Sequence, residues 1–153
     1  MKAQIYIEGV CPMTLEEENG ALIRVDFGNK PEEGIPLKKT ELLSRAEQQL
    51  EEYFQGKRKI FELPLRYGGT EFQRQVWEAL LTIPYGETVS YQEIARRVGR
   101  ERAVRAVGTA IGRNPLGIVI PCHRVIGKDG GLHGFGGGLE NKKMLLELEE
   151  RWR

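Results

Sequence analysis

The stretch SYQEIARRVGRERAVRAVGTAIG, residues 90–112, decides how the second half of this chain folds. Ser90 with Glu93 three positions on is a capping box, an arrangement that satisfies the first amides of a helix. Tyr91, Ile94, Ala95 and Val98 follow at three-and-four spacing and give that helix one apolar face. Gly99-Arg100 is a tight break. A second helix is predicted from about Glu101, burying Ala103, Val107, Ala110 and Ile111. It ends at Asn114-Pro115, because the residue before a proline is steered out of helical geometry. Two short helices across a small turn make a helix-turn-helix, whose second member is the usual reader of nucleic acid.

Upstream, Thr70 with Gln73 caps another helix carrying Phe72, Val76, Ala79 and Leu80, which stops before Pro84. Lys57 to Gly69, with Pro64 and Gly68-Gly69, reads as a connector. Before it, Leu42, Leu43, Ala46, Leu50 and Phe54 describe an amphipathic helix capped by Thr40 and ending near Gly56. Ile5 and Ile7 alternate as one strand, and Leu22, Val25 and Phe27 mark a second. Glu16-Glu17-Glu18-Asn19-Gly20 reads as an acidic loop between them. The expected organisation is α+β: an N-terminal α/β scaffold at 1–62, a connector at 63–69 and a mostly helical domain at 70–153.

At 153 residues and 40% hydrophobic content the chain can build a real core. It has no apolar run of the roughly 20 residues that span a bilayer, nor a basic-then-apolar leader, so a cytoplasmic location is expected. Two cysteines, Cys11 and Cys122, make no disulfide framework, and no CxxC or HxxxH spacing completes a metal site. The net charge of +1 conceals an asymmetry. Residues 1–69 carry ten Lys and Arg against twelve Asp and Glu, and residues 70–153 thirteen against ten. Within 91–126 seven arginines (Arg96, Arg97, Arg100, Arg102, Arg105, Arg113 and Arg124) face only Glu93 and Glu101. That surplus suits a phosphate backbone, or else a solvated helix face.

Chemistry is suggested by Pro121-Cys122-His123-Arg124-Val125, at the end of the apolar run Ile118-Val119-Ile120, read as a buried strand. A thiol beside an imidazole pairs a nucleophile with a base. A free cysteine also packs well as a small hydrophobe, and the doublet alone does not choose. On the predicted second helix, Arg105, Gly108, Thr109 and Gly112 share one face. Each glycine there costs about 1 kcal/mol of helix stability, which implies a close approach to the backbone. A glycine-rich segment, 127–138, lacks the GxxxxGK[ST] arrangement of a phosphate cradle and reads as a pocket wall.

Taken in order, Ser90-Tyr91-Gln92-Glu93-Ile94-Ala95, Arg105-Ala106-Val107-Gly108, Pro121-Cys122-His123-Arg124-Val125 and the glycine segment followed by a helix over Leu139 to Glu149 resemble the O6-alkylguanine-DNA alkyltransferases. The resemblance is specific from about Thr70 to Glu149. It implies an RNase H-like N-terminal domain before a winged helix-turn-helix, and a monomer that needs no cofactor. The activity it implies is repair of double-stranded DNA bearing O6-alkylguanine, approached through the minor groove. The damaged base is flipped out, and its alkyl group passes irreversibly to Cys122.

The same resemblance implies the roles. His123 would draw the thiol proton through a water, with Glu149 behind the imidazole. Tyr91 would donate to the guanine ring, and Asn114 would brace the turn. Arg105 would fill the vacated stack, with Gly108, Thr109, Gly112 and Arg113 along the DNA. Val125 would read the guanine amino group through its carbonyl, and Phe135 and Gly136 would present amides to the alkylated oxygen. The family's usual residues at those last two positions are tyrosine and serine. His133 carries no implied role. Two other readings fit the residues: a Cys-His hydrolase or transferase with a thioester intermediate, and a DNA-binding regulator with an unused thiol.

Overall fold

Asn19 and Gly20 both adopt positive φ, +48° and +83°, the backbone that lets a two-residue turn join twisted antiparallel strands. They close a hairpin between β2 (Met13–Glu18) and β3 (Ala21–Phe27), and β1 (Lys2–Ile7) pairs on the other side of β2. The computed structural model describes residues 1–127, 135 and 137–153. The acidic run is therefore strand, not loop. Glu16 and Glu17 are buried. Glu16 lies in register with Gln4 and Arg24, and the Arg24 Nε donates to its carboxylate at 3.2 Å, so cross-strand pairing overrides the low strand propensity of glutamate. Ile5, Leu15 and Val25 align across the three strands, as do Ile7, Met13 and Phe27.

Helix α1 (Glu41–Phe54) packs on all three strands through the face bearing Leu43, Ala46, Leu50 and Tyr53. Thr40 caps it, its hydroxyl accepting from the Leu43 amide at 3.1 Å. The outer edge of β3 would be an unpaired row of donors and acceptors. Two segments cover it. Leu65 forms a parallel bridge with Leu22, and Leu116 forms one with Val25. Gly117 comes so close that an added Cβ would sit 3.1 Å from the Phe27 ring and 3.3 Å from the Val25 carbonyl. The first compact unit is accordingly residues 1–67 together with 115–119, and the second is 68–114 with 120–153.

In the second unit, α2 (Glu71–Leu80) begins with a complete capping box between Thr70 and Gln73. It packs on α4 (Val104–Gly112), where the indole Nε1 of Trp77 donates to the Ala110 carbonyl at 2.9 Å. Helix α3 (Tyr91–Arg97) is capped by Ser90. The Glu93 carboxylate pairs with Arg96 and Arg97, so it grips its own last turn. Val104 starts α4, three residues later than the spacing predicts. Ala103 holds φ −103°, ψ 35°, and no side chain caps it, so residues 100–103 are spent on the turn.

The run Ile118-Val119-Ile120 is not a strand. Ile118 has φ +67°, a conformation that costs a β-branched residue dearly. Beyond it the chain makes a 3₁₀ turn over Cys122–Arg124, which enters β5 (Val125–Ile126). That strand pairs in parallel with β4 (Val89–Ser90). Helix α5 (Leu139–Trp152) completes the unit and buries Lys142, Leu145, Leu148 and Glu149. No helix among the described residues is long and apolar enough to cross a membrane.

Candidate active site around Cys122

Buried in the 3₁₀ turn, Cys122 and His123 are 7% and 0% exposed. Asn114 spans the base of the excursion that precedes them, its Nδ2 donating to the Ile120 carbonyl at 2.8 Å. Burial pushes the Cys122 thiol up from its ordinary value, because a thiolate loses hydration there. Four features pull it back: a hydrogen bond from the Asn114 side chain, the charge of Lys142, and the backbone amides of Cys122 and His123. An anion on this sulfur is therefore met by donors in a tight turn.

His123 Nε2 lies 2.6 Å from the Glu149 Oε2. Burial pushes the imidazole towards its neutral form, against the pull of Glu149 and with help from the charges of Arg124 and Lys142. An ionised carboxylate only accepts, so Nε2 carries the proton and Nδ1 is the ring's basic nitrogen. Burial would also raise the Glu149 carboxyl, but the hydrogen bonds and charges of His123 and then Arg124 hold it down to about 2. Glu149 is 1% exposed, so it is no surface acid. It accepts from four donors: His123, Arg124 Nε at 2.9 Å and Nη2 at 3.0 Å, and the Gly86 amide at 3.0 Å.

Arg124 is the residue that sequence reasoning missed. Counted there among the phosphate-facing arginines, it is buried instead. Its Nη1 donates to the Ile83 carbonyl at 2.7 Å, and its guanidinium lies 5.6 Å from the Tyr85 ring centre. No local signal marked it, because its partners Glu149, Ile83 and Tyr85 lie far from it in the chain. Lys142 was missed too. It falls in phase with Leu145 and Glu149 on α5, and it is 0% exposed.

Tyr91, half-buried at the start of α3, lies near Lys142, with its hydroxyl 3.5 Å from the Nζ. Gly108 faces the same ring, since a Cβ there would stand 3.8 Å from Tyr91 Cδ1. Arg105, Thr109, Gly112 and Arg113 are exposed along α4 and its C-terminus. Val125 is fully buried in β5. Phe135 is half-buried, its carbonyl accepting from the Gly138 amide at 3.0 Å. Gly136 and His133 lie outside the described residues.

Fold and site together define a helix-turn-helix domain built round a buried thiol with its own histidine and carboxylate. The family model for the 6-O-methylguanine DNA methyltransferase DNA binding domain matches residues 71–151, and that for the ribonuclease-like domain of the same proteins matches residues 12–67. A methylated-DNA–protein-cysteine methyltransferase of Methanosarcina barkeri is 50% identical over 147 residues, covering 92% of each chain. Among solved structures, the O6-methylguanine methyltransferase of Mycobacterium tuberculosis superposes with a TM-score of 0.90 at 43% identity, over 100% of this chain and 95% of that one. A Mycobacterium tuberculosis OGT in complex with DNA gives 0.91 at the same 43% identity, over 98% and 94%. The chain belongs to the 6-O-methylguanine DNA methyltransferase family.

Proposed function

We propose that this protein repairs DNA by moving the alkyl group of O6-alkylguanine onto Cys122, once per molecule. The observation that carries the reading is the buried Cys122–His123–Glu149 array beside a helix-turn-helix whose second helix exposes Arg105. His123 takes the thiol proton at Nδ1 through a water, and Glu149 steadies the resulting imidazolium. The thiolate attacks the alkyl carbon, a C–S bond forms and the C–O6 bond breaks. The electron pair left on guanine is neutralised by a proton donated from the Tyr91 hydroxyl. The product thioether has no bond that water readily cleaves, so turnover stops there.

Chemistry inside a duplex needs the base extruded, at a cost of a few kcal/mol. Arg105 offsets that cost from the exposed face of α4, while Gly108 leaves the side of Tyr91 open and Thr109, Gly112 and Arg113 run along the backbone. Val125 and the amides of Phe135 and Gly136 complete the pocket. The compartment we assign is the cytoplasm, where such a thiol stays reduced.

The test is incubation with duplex DNA carrying O6-methylguanine, followed by mass spectrometry of the peptides. One methyl group on the Cys122 peptide with stoichiometric loss of the lesion is expected. Repeated turnover would point to a hydrolase, and an unmodified Cys122 in folded, DNA-bound protein to a regulator; either refutes the proposal.

A further inference from the structure

Glu93 stands at the third position of α3, the place that Gln73 occupies in α2. Gln73 bends back and its side chain accepts from the Thr70 amide at 3.0 Å, which completes that helix's cap. Glu93 runs the other way, along its helix. Its carboxylate takes Arg96 in a two-pronged bond, Nε at 2.9 Å and Nη2 at 2.6 Å, and Arg97 through Nε at 2.8 Å. Arg97 has a second partner, its Nη1 donating to the Thr82 hydroxyl at 3.2 Å. The hydrogen bonds of Arg96 and then Arg97 hold the Glu93 carboxyl down to about 2, so it is ionised at neutral pH. A recess of about 270 Å³ lies between α3 and the turn that follows, and there Arg96 faces Glu101 as well as Glu93. Two carboxylates against one guanidinium make that recess repel a phosphate.

The first helix of a helix-turn-helix crosses the DNA backbone, so Arg96 and Arg97 sit on an element that phosphates approach. Their guanidiniums are nevertheless already committed. Arg100, Arg102, Arg105 and Arg113, by contrast, are exposed and form no ion pair among the described residues. We infer that Glu93 governs the grip on DNA: it withholds Arg96 and Arg97 from the phosphates and leaves non-specific binding to the turn and α4. The inference rests on the DNA-repair reading above and adds to it a residue that sets how tightly undamaged duplex is held. Undamaged sites far outnumber lesions, so each added phosphate contact lengthens the search. An ion pair within one helix can also serve stability alone. What separates the two roles is whether the same donors turn to DNA once the carboxylate is gone.

The experiment measures affinity for undamaged duplex DNA against salt concentration in the parent, E93Q, R96Q/R97Q and the triple variant; thermal melting and methyl uptake from free O6-methylguanine base serve as controls for folding. Each arginine that neutralises a phosphate steepens the plot of log affinity against log salt by about 0.9. E93Q should therefore be steeper than the parent by about 1–2, and lose about tenfold more affinity than the parent between about 50 and 200 mM salt. R96Q/R97Q should keep the parent's slope. In that background E93Q should change little, because its effect passes through the two arginines. An E93Q slope equal to the parent's overturns the inference, as does a shallower slope in R96Q/R97Q, which would mean that the arginines already touch DNA. Equal steepening with and without the arginines overturns it too, since Glu93 would then act only as one more negative charge. If E93Q does not fold, R96Q/R97Q decides: a slope matching the parent's supports the inference, and a shallower one refutes it. A parent that binds duplex DNA but takes up no alkyl group sinks the functional reading, while the salt slopes still decide the role of Glu93.

Discussion

Replacing Glu149 with glutamine tests the centre of the site, because that carboxylate serves the fold as well as His123. The amide keeps the shape and loses the charge, which leaves Arg124 buried without its counter-ion. Breaking a buried pair in this way costs about 3–5 kcal/mol. The titration of Glu149 gives an independent figure. Its carboxyl is held to about 2 in the folded protein, against about 4.3 in an unfolded chain, a difference of about 2 units or ~3 kcal/mol. A depressed folded-state value means that this stability is fully present above about pH 5, and is lost as pH falls from there towards the folded-state value. The parent should therefore weaken in acid, with more than half of this contribution gone by about pH 3. Glu149→Gln should lack that part of the acid dependence.

Urea unfolding at neutral pH and near pH 3, for both proteins, measures the effect directly. At neutral pH the variant should melt about 10 °C lower. Its Cys122 thiol should also titrate higher, since imidazolium loses the anion behind it. If the variant matches the parent in stability and in acid dependence, Glu149 does not anchor the buried arginine and the network is drawn wrongly.

Arg105→Ala should slow repair of duplex DNA while leaving reaction with free alkylguanine base nearly unchanged, because a free base needs no extrusion; equal losses on both substrates, measured side by side, would show that Arg105 supports the pocket instead. Thr70→Ala removes one half of the capping box on α2 and should cost about 1 kcal/mol in urea unfolding; a loss under a few tenths would mean that packing of Trp77 on α4 alone sets the helix start.

Helices with a cap and an apolar stripe were legible in the sequence because both signals are local. Thr40, Thr70 and Ser90 mark starts that the structure places one residue on, at Glu41, Glu71 and Tyr91. Long-range pairing was not. The acidic run became strand β2 because Arg24 and Gln4, distant in sequence, lie beside Glu16. Ile118-Val119-Ile120 looked like a strand, yet its first residue, Ile118, adopts a positive φ that no composition announces. The nucleophile, its histidine and the carboxylate could be nominated from residue type and order. Arg124 and Lys142 could not, since a charged side chain declares itself buried only when its partners are known.

The five residues 115–119 make this chain hard to dissect. They leave the second unit after Asn114, add to the sheet edge of the first, and return at Ile120 directly before the reactive turn. A cut after Tyr67 therefore does not yield two self-sufficient pieces. The N-terminal fragment would carry β3 with Val25 unbridged, open to pairing with other chains. The C-terminal fragment would carry Leu116 without the Val25 backbone that it bridges. Evolutionary exchange of the N-terminal unit faces the same constraint, since any replacement must offer an edge on which this loop can dock.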